Sequence, residues 1–348
     1  MNLQLINTLF MVVDRSDNYI KDQGREGFKM GKKKKNIIII SSLLGTAIIG
    51  GLVFAGNYFY NLAVNPNASK EMVFGPENET VEASTKEEKD KTRVAWIMDS
   101  LNYKDSYRIS ADGLKLHGYE INNTVETKVW VVTVHGYMIQ GKDMSDYAKE
   151  FYGMGYNVLI PDLRGHGKSE GDYIGMGWDD KEDILSWINY IIEKDSNAKI
   201  VLHGVSMGAG AVMMTSGEEL PNNVKAIVED CGYTSAWDEF SYQLESLFGY
   251  PKFPILNMAS LVTRVRAGYW LGDASAIDQV AKAKVPMLFI HGDKDEFVPY
   301  YMLDEVYNAA NCEKEKVTIE GATHAEASTT NPELYWTSIE NFINKHLS

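Results

Sequence analysis

Lys199-Ile200-Val201-Leu202-His203-Gly204-Val205-Ser206-Met207-Gly208-Ala209-Gly210-Ala211 is the stretch on which the fold turns. Residues 199–203 form a short apolar run of the kind that makes a buried strand, and 209–214 read as the start of a helix. Between them lies Gly204-x-Ser206-x-Gly208, a serine at the apex of a strand-to-helix turn. Such a turn holds its serine in a strained backbone conformation. It also brings strand and helix so close that the flanking positions must be small. Free N–H groups at the start of the helix are placed to stabilise an oxyanion. Five residues of this pattern mean little alone, because Gly and Ser are common. The strand before and the helix after make the pattern specific.

Working outward, short apolar runs alternate with amphipathic helices. Strands are predicted at 129–134, 157–160, 224–228, 285–290 and 316–319, and helices at 142–152, 179–194, 300–310 and 332–347. Residues 107–121 read as a β-hairpin turning at Ala111-Asp112-Gly113. Continuous rather than alternating apolar strands, separated by helices, argue an α/β fold: a mostly parallel sheet covered on both faces. Residues 234–284 interrupt the alternation between two late strands with many large apolar side chains, Trp237, Phe240 and Phe248 among them. An insertion this long is expected to be functional. It reads as a helical lid over the strand ends, with those three residues toward substrate, against the plainer reading of an extra scaffold helix pair.

A serine hydroxyl is a poor nucleophile near neutral pH and needs a base, itself oriented by a carboxylate. Downstream of Ser206 come His291-Gly292-Asp293-Lys294-Asp295-Glu296-Phe297-Val298-Pro299 and then Gly321-Ala322-Thr323-His324. With His135-Gly136 after an early strand and Pro161-Asp162-Leu163-Arg164-Gly165-His166-Gly167-Lys168-Ser169, these stretches resemble the α/β-hydrolase superfamily over about residues 105–347. The likeness is greatest to membrane-anchored bacterial serine hydrolases of the S9/S33 peptidase-like and esterase-like kind. The resemblance implies Ser206 as nucleophile, His324 as general base and Asp295 as the acid, with Asp293 and Asp230 as rivals for the last role. It implies an oxyanion hole from the N–H groups of Met207 and Tyr137, with the Tyr137 ring lining the pocket, and neither metal nor organic cofactor. His135, His166, His203 and His291 sit at strand ends or glycine turns, where an imidazole satisfies loop carbonyls. Residues 162–167 read as a turn held by a local ion pair.

The net charge is −14, and the acidic excess lies beyond residue 64, which argues against nucleic acid as a partner. Two cysteines, Cys231 and Cys312, make no disulfide framework, and no Cys/His cluster has zinc-ligand spacing. Residues 36–64 carry no charge and follow Lys32 to Lys35. That pattern predicts a basic cytoplasmic tail over 1–35 and an uncleaved transmembrane signal anchor over 36–60, with Tyr58, Phe59 and Tyr60 as an interfacial aromatic belt. A polar spacer and lead-in helix would follow over 61–104, and the hydrolase domain over 105–348, facing outside the cell. Met30 before the lysine run reads as a natural start of translation, making 1–29 an upstream extension or tail. The Asn-x-Ser/Thr triplets at Asn67, Asn78 and Asn122 read as chance matches. The expected substrate is a small ester, thioester or amide with an apolar acyl or aryl group. The alternatives are a peptide substrate, or a catalytically silent binding module, against which stands the presence of Ser206, Asp295 and His324 together.

Overall fold

A computed structural model describes residues 32–70, 94–98 and 103–347. The chain divides into two compact units, Met1–Leu52 and Val53–Ser348. The second is built on eight strands: β1 Tyr103–Ile109, β2 Lys115–Ile121, β3 Val129–Val134, β4 Asn157–Pro161, β5 Lys199–Val205, β6 Val224–Asp230, β7 Met287–Gly292 and β8 Lys314–Ile319. Their order across the sheet is β1-β2-β4-β3-β5-β6-β7-β8. β1 and β2 pair antiparallel, as do β2 and β4, and every later pair is parallel.

The central strands are apolar throughout because both faces are covered. Side chains alternate between faces with a period of two. Thus Trp130, Val132 and Val134 of β3 and Ile200 and Leu202 of β5 enter one core, while Val131 and Val201 enter the other. Helix α3 (Asp180–Lys194) places Ile184, Trp187, Ile188 and Ile191 on the first core, the spacing of one helical face. On the opposite core lie α2 (Ser145–Gly153), through Phe151, and α9 (Pro332–His346), through Tyr335, Ile339 and Phe342. α4 (Met207–Thr215) is buried along its whole length.

The chain leaves β3 for β4 on one side and returns to β5 on the other. The carboxyl ends of β3 and β5 therefore flank a topological switch point, where open parallel sheets leave a crevice for ligand.

The insertion forms α5 (Ala236–Phe248) and α6 (Lys252–Arg266). The remainder of 234–284 is scaffold rather than lid: α7 (Ala276–Val280) buries Ala276 and Val280 in the first core. Beyond the insertion, α8 (Tyr301–Ala309) follows β7.

Helix α1, Lys32–Ala63, contains one segment, Asn36–Ala63, long and apolar enough to cross a membrane. It runs three residues beyond the expected end at 60, and 61–70 do not behave as a spacer. Lys70 donates to the Asn61, Leu62 and Asn65 carbonyls at 2.9, 2.6 and 2.8 Å, closing the helix end. Val64 is buried, and its carbonyl accepts from the Ile174 N–H. Phe59 and Tyr60 form no lipid-facing belt either. Tyr60 is 2% exposed and Phe59 packs on the first core. Residues 94–98 are helical and bury Ile97. The expected tail over 1–29, the start at Met30 and the rest of the spacer, 71–93 and 99–102, lie outside the described residues.

Candidate active site

Ser206 stands between the end of β5 and the start of α4, with φ 57° and ψ −118°. A non-glycine residue there carries roughly 1–3 kcal/mol of strain. The turn is held from both sides: Ser206 N–H donates to the Asp230 carbonyl, and Gly210 N–H donates to the Ser206 carbonyl. A Cβ on Gly204 would stand 2.2 Å from the Gly208 carbonyl oxygen, and one on Gly208 would stand 2.2 Å from that of Val134. Both glycines are thus required by close approach of strand and helix.

The loops after β7 and β8 carry Asp295 and His324. Ser206 Oγ lies 2.8 Å from His324 Nε2, and His324 Nδ1 lies 2.7 Å from Asp295 Oδ2. Asp295 Oδ1 accepts from the Phe297 and Val298 N–H groups, both at 2.9 Å. His291 Nε2 stands 3.1 Å from Oδ2 and 2.9 Å from the Val298 carbonyl. Burial alone would raise the Asp295 carboxyl, but hydrogen bonds from His291 and His324 outweigh it and hold the group at about 2. An ionised Asp295 can only accept, so Nδ1 of His324 carries the proton and Nε2 is left to accept from the serine hydroxyl. The Phe297 ring packs on the imidazole, 4.9 Å between centroids.

The rivals for the acid position are engaged elsewhere. Asp293 is held by Gly321 N–H and Lys294. Asp230 accepts from Tyr335 Oη at 2.9 Å, and burial pushes it up to about 6. Cys231, Asp295 and His324 offer donor atoms within 4.8 Å of one another, the spacing of a metal site. Here, though, His324 and His291 already occupy Oδ2, and burial, with Asp230 beside it, drives the Cys231 thiol far up toward its neutral form.

The other histidines satisfy structural groups. His135 donates from Nδ1 to the Gly136 carbonyl while Nε2 accepts from Leu163 N–H. His166 reaches the Arg164 carbonyl, and His203 lies between the hydroxyls of Thr133 and Tyr335. The expected local ion pair in 162–167 is replaced by longer-range partners. Arg164 pairs with Asp183 and Asp112, and Asp162 with His117, because two residues separated by one position on a turn point apart.

Ser206 opens into an apolar cavity with an atom-free volume of about 890 Å3, counted out to its open mouth. Tyr137 and Met207 line it. Gly136 lies against Ser206, where an added Cβ would come within 3.4 Å of the serine Cβ. Of the three lid residues expected to face substrate, Phe240 and Phe248 line the cavity. Trp237 does not line the cavity. It packs on the core instead.

Sequence reasoning missed three contributions. The last turns of α1 supply Phe59, Leu62 and Ala63 to the wall. Glu239 also lines the cavity. It is 4% exposed, accepts from Gln243 Nε2 at 3.0 Å, and is pushed up to about 8 by burial. The third is His291, the second donor to Asp295 Oδ2. Its signal was the four-residue spacing from His291 to Asp295 across a tight Gly-containing loop.

A parallel sheet with an antiparallel edge, a strained serine between β5 and α4, and loops from β7 and β8 converging on it define an α/β-hydrolase architecture. Residues 125–241, from just before β3 into α5, match the family described as Serine aminopeptidase, S33. YqkD of Bacillus subtilis is 25% identical over 314 residues, covering 89% of this chain and 97% of that protein. The alpha/beta hydrolase domain-containing protein WAV2 of Arabidopsis thaliana is 26% identical over 255 residues, covering 71% and 80%. Among solved structures, the Pyrococcus furiosus esterase Pf2001 superposes with a TM-score of 0.60 at 20% identity, covering 74% of this chain and 94% of that one. The chain has the α/β-hydrolase fold and is similar in sequence to proteins of that superfamily.

Proposed function

We propose that this protein is a membrane-anchored serine hydrolase that cleaves carboxylic esters with an apolar acyl or aryl group. The observation that carries the reading is the unbroken relay from Ser206 Oγ through His324 to Asp295 at 2.8 and 2.7 Å, opening into an apolar cavity. Ser206 attacks the ester carbonyl while His324 Nε2 takes its proton. The oxyanion forms against the N–H groups of Met207 and Tyr137. The alcohol leaves with the proton from His324, and water, deprotonated by the same imidazole, releases the acid and restores the serine. Asp295 stays ionised and stabilises the imidazolium. The Pf2001 likeness, to an esterase, agrees with the ester reading.

The apolar segment of α1 that begins at residue 36 and precedes the turns packed on the hydrolase core acts as the anchor, and the lysines at 32–35 argue for a cytoplasmic N-terminus and a hydrolase domain outside. Biotinylation of intact cells should then label the hydrolase domain; labelling that requires lysis would reverse the orientation.

The enzymatic reading is tested with the full chain in detergent. A fluorophosphonate should label the wild type and not Ser206→Ala, and p-nitrophenyl butyrate turnover should fall at least about a thousandfold in His324→Ala. Labelling that survives the serine change would refute the proposal. The S33 match favours a second reading, a peptidase on the same triad. Faster turnover of aminoacyl anilides than of matched acyl esters would select it.

A further inference from the structure

The segment that reads as a membrane anchor is also a wall of the cavity. Phe59 and Ala63 of α1 face the same space as Phe240 and Leu244 of α5 and Leu256 of α6, and that space ends at Ser206. The α1 wall is fixed rather than resting loosely. Tyr137 Oη donates to the Ala63 and Leu62 carbonyls at 2.8 and 3.2 Å. Arg266 lies over the Tyr60 ring, 4.3 Å from its centroid, and reaches the side chains of Asn57 and Asn61. Phe59 meets Phe248 edge to face at 5.3 Å. A Cβ on Gly56 would stand 2.7–2.8 Å from Met258 atoms, so α1 and α6 touch backbone to backbone there.

Upstream on the same helix, side chains turn outward. Phe54 is 75% exposed, only about 14 Å along the axis from Ala63 at 1.5 Å per residue. The lid hairpin adds exposed Leu247, Phe253, Leu261 and Val265. Isolated exposed apolar residues need no explanation, but a cluster of them on the two helices that roof a cavity does. No Lys, Arg or His lines the cavity among the described residues, so nothing inside it would neutralise a charged headgroup.

We infer that the cavity takes the acyl chain of an amphiphilic ester drawn sideways from the bilayer in which α1 sits, with the last turns of α1 measuring the chain. The inference rests on the esterase reading above and narrows its substrate class. Burying the chain against a wall continuous with the anchor spares it a passage through water, and each methylene kept from water is worth about 0.8 kcal/mol.

The test uses the full chain. In detergent, kcat/KM is measured for p-nitrophenyl octanoate and acetate, and the ratio of the two is compared among wild type, Ala63→Phe and Phe59→Ala. A ratio cancels any loss of folded enzyme. Ala63→Phe should lower the octanoate-to-acetate ratio by about tenfold, and Phe59→Ala, which lengthens the space for the chain, should raise it several-fold. In phosphatidylcholine vesicles, a fluorogenic diacylglycerol ester should be cleaved about tenfold faster when it shares the vesicle with the protein than when it is in separate vesicles. Equal rates in the two arrangements would mean supply from water and overturn the lateral route. Ratios unchanged in both variants, with turnover still lost in Ser206→Ala, would overturn the measuring role of α1 and leave the esterase reading standing. Ester turnover indifferent to Ser206→Ala would overturn both.

Discussion

Each oxygen of Asp295 is held by two donors, Phe297 and Val298 N–H on Oδ1 and His324 and His291 on Oδ2. That coordination decides what a single atom change should do. Asp295→Asn keeps an acceptor for the two backbone N–H groups if its carbonyl takes the Oδ1 place, so the loop folds. The amide then presents N–H donors to His324, which can pair with Nδ1 only if that nitrogen gives up its proton. The imidazole adopts the tautomer whose Nε2 can no longer accept from Ser206. We expect kcat to fall by about three to four orders of magnitude, with KM nearly unchanged and with thermal stability close to wild type. A loss of less than about tenfold would show that Asp295 is not the partner His324 depends on. Because hydrogen bonding holds Asp295 at about 2, titration of this carboxylate should contribute nothing to the acid limb of kcat/KM above about pH 4.

At the scale of elements, the site depends on how closely β5 and α4 approach β3. Gly208→Ala would set a methyl 2.2 Å from the Val134 carbonyl oxygen, which is strand backbone and cannot turn aside. The expected cost is on the order of 3 kcal/mol or more, read as a fall in melting temperature, against a change within about 0.5 kcal/mol for Gly272→Ala, whose added Cβ would meet nothing within 4 Å. Equal melting temperatures in the two variants would show that the close packing does not hold. This elbow was legible in the sequence because small residues on both sides of a serine have few other reasons to occur between a strand and a helix. The parallel strands were legible because burial on both faces leaves an unbroken apolar run. What the sequence could not show was which way a side chain faces on an element apolar all round. Tyr58-Phe59-Tyr60 at the end of an apolar helix reads the same whether the rings meet lipid or protein, yet Tyr60 is 2% exposed and Tyr58 is 37% exposed. Trp237 and Phe240 lie on one apolar stretch, but only the second reaches the cavity. Glu239 carries a charge of the kind that usually marks a solvated helix face, yet it is 4% exposed, and burial by distant parts of the chain has no local signature.

For the whole molecule, the described fold buries more carboxyl groups than it pairs. Burial pushes Glu229 and Glu239 up to about 8 and Asp180 up to about 7, the last against the opposing pull of Arg164. Asp230 is pushed up to about 6. Between the ordinary carboxylate range and these values, the folded state holds protons that the unfolded chain has released. Stability therefore falls as pH rises through that window, and the contribution is fully present only below the unfolded values of roughly 4 to 4.5. Asp295 and Glu120 work in the opposite sense. Hydrogen bonds hold both at about 2 against the cost of burial, so their contribution is complete above about pH 5 and is lost toward acid. The two trends cross to give a maximum melting temperature near pH 4 to 5, with a decline of several degrees by about pH 8.5. Glu239→Gln isolates one group, since the amide cannot ionise and can still accept from Gln243. It should flatten the alkaline decline by an amount on the order of a few kcal/mol at most, while leaving the acid side unchanged. Calorimetry of the full chain in a nonionic detergent across this range reads both. A melting temperature that rises from about pH 6 to about pH 8.5 would mean that these carboxyls are ionised in the folded protein, and that the interior beneath the lid is far wetter than its packing implies.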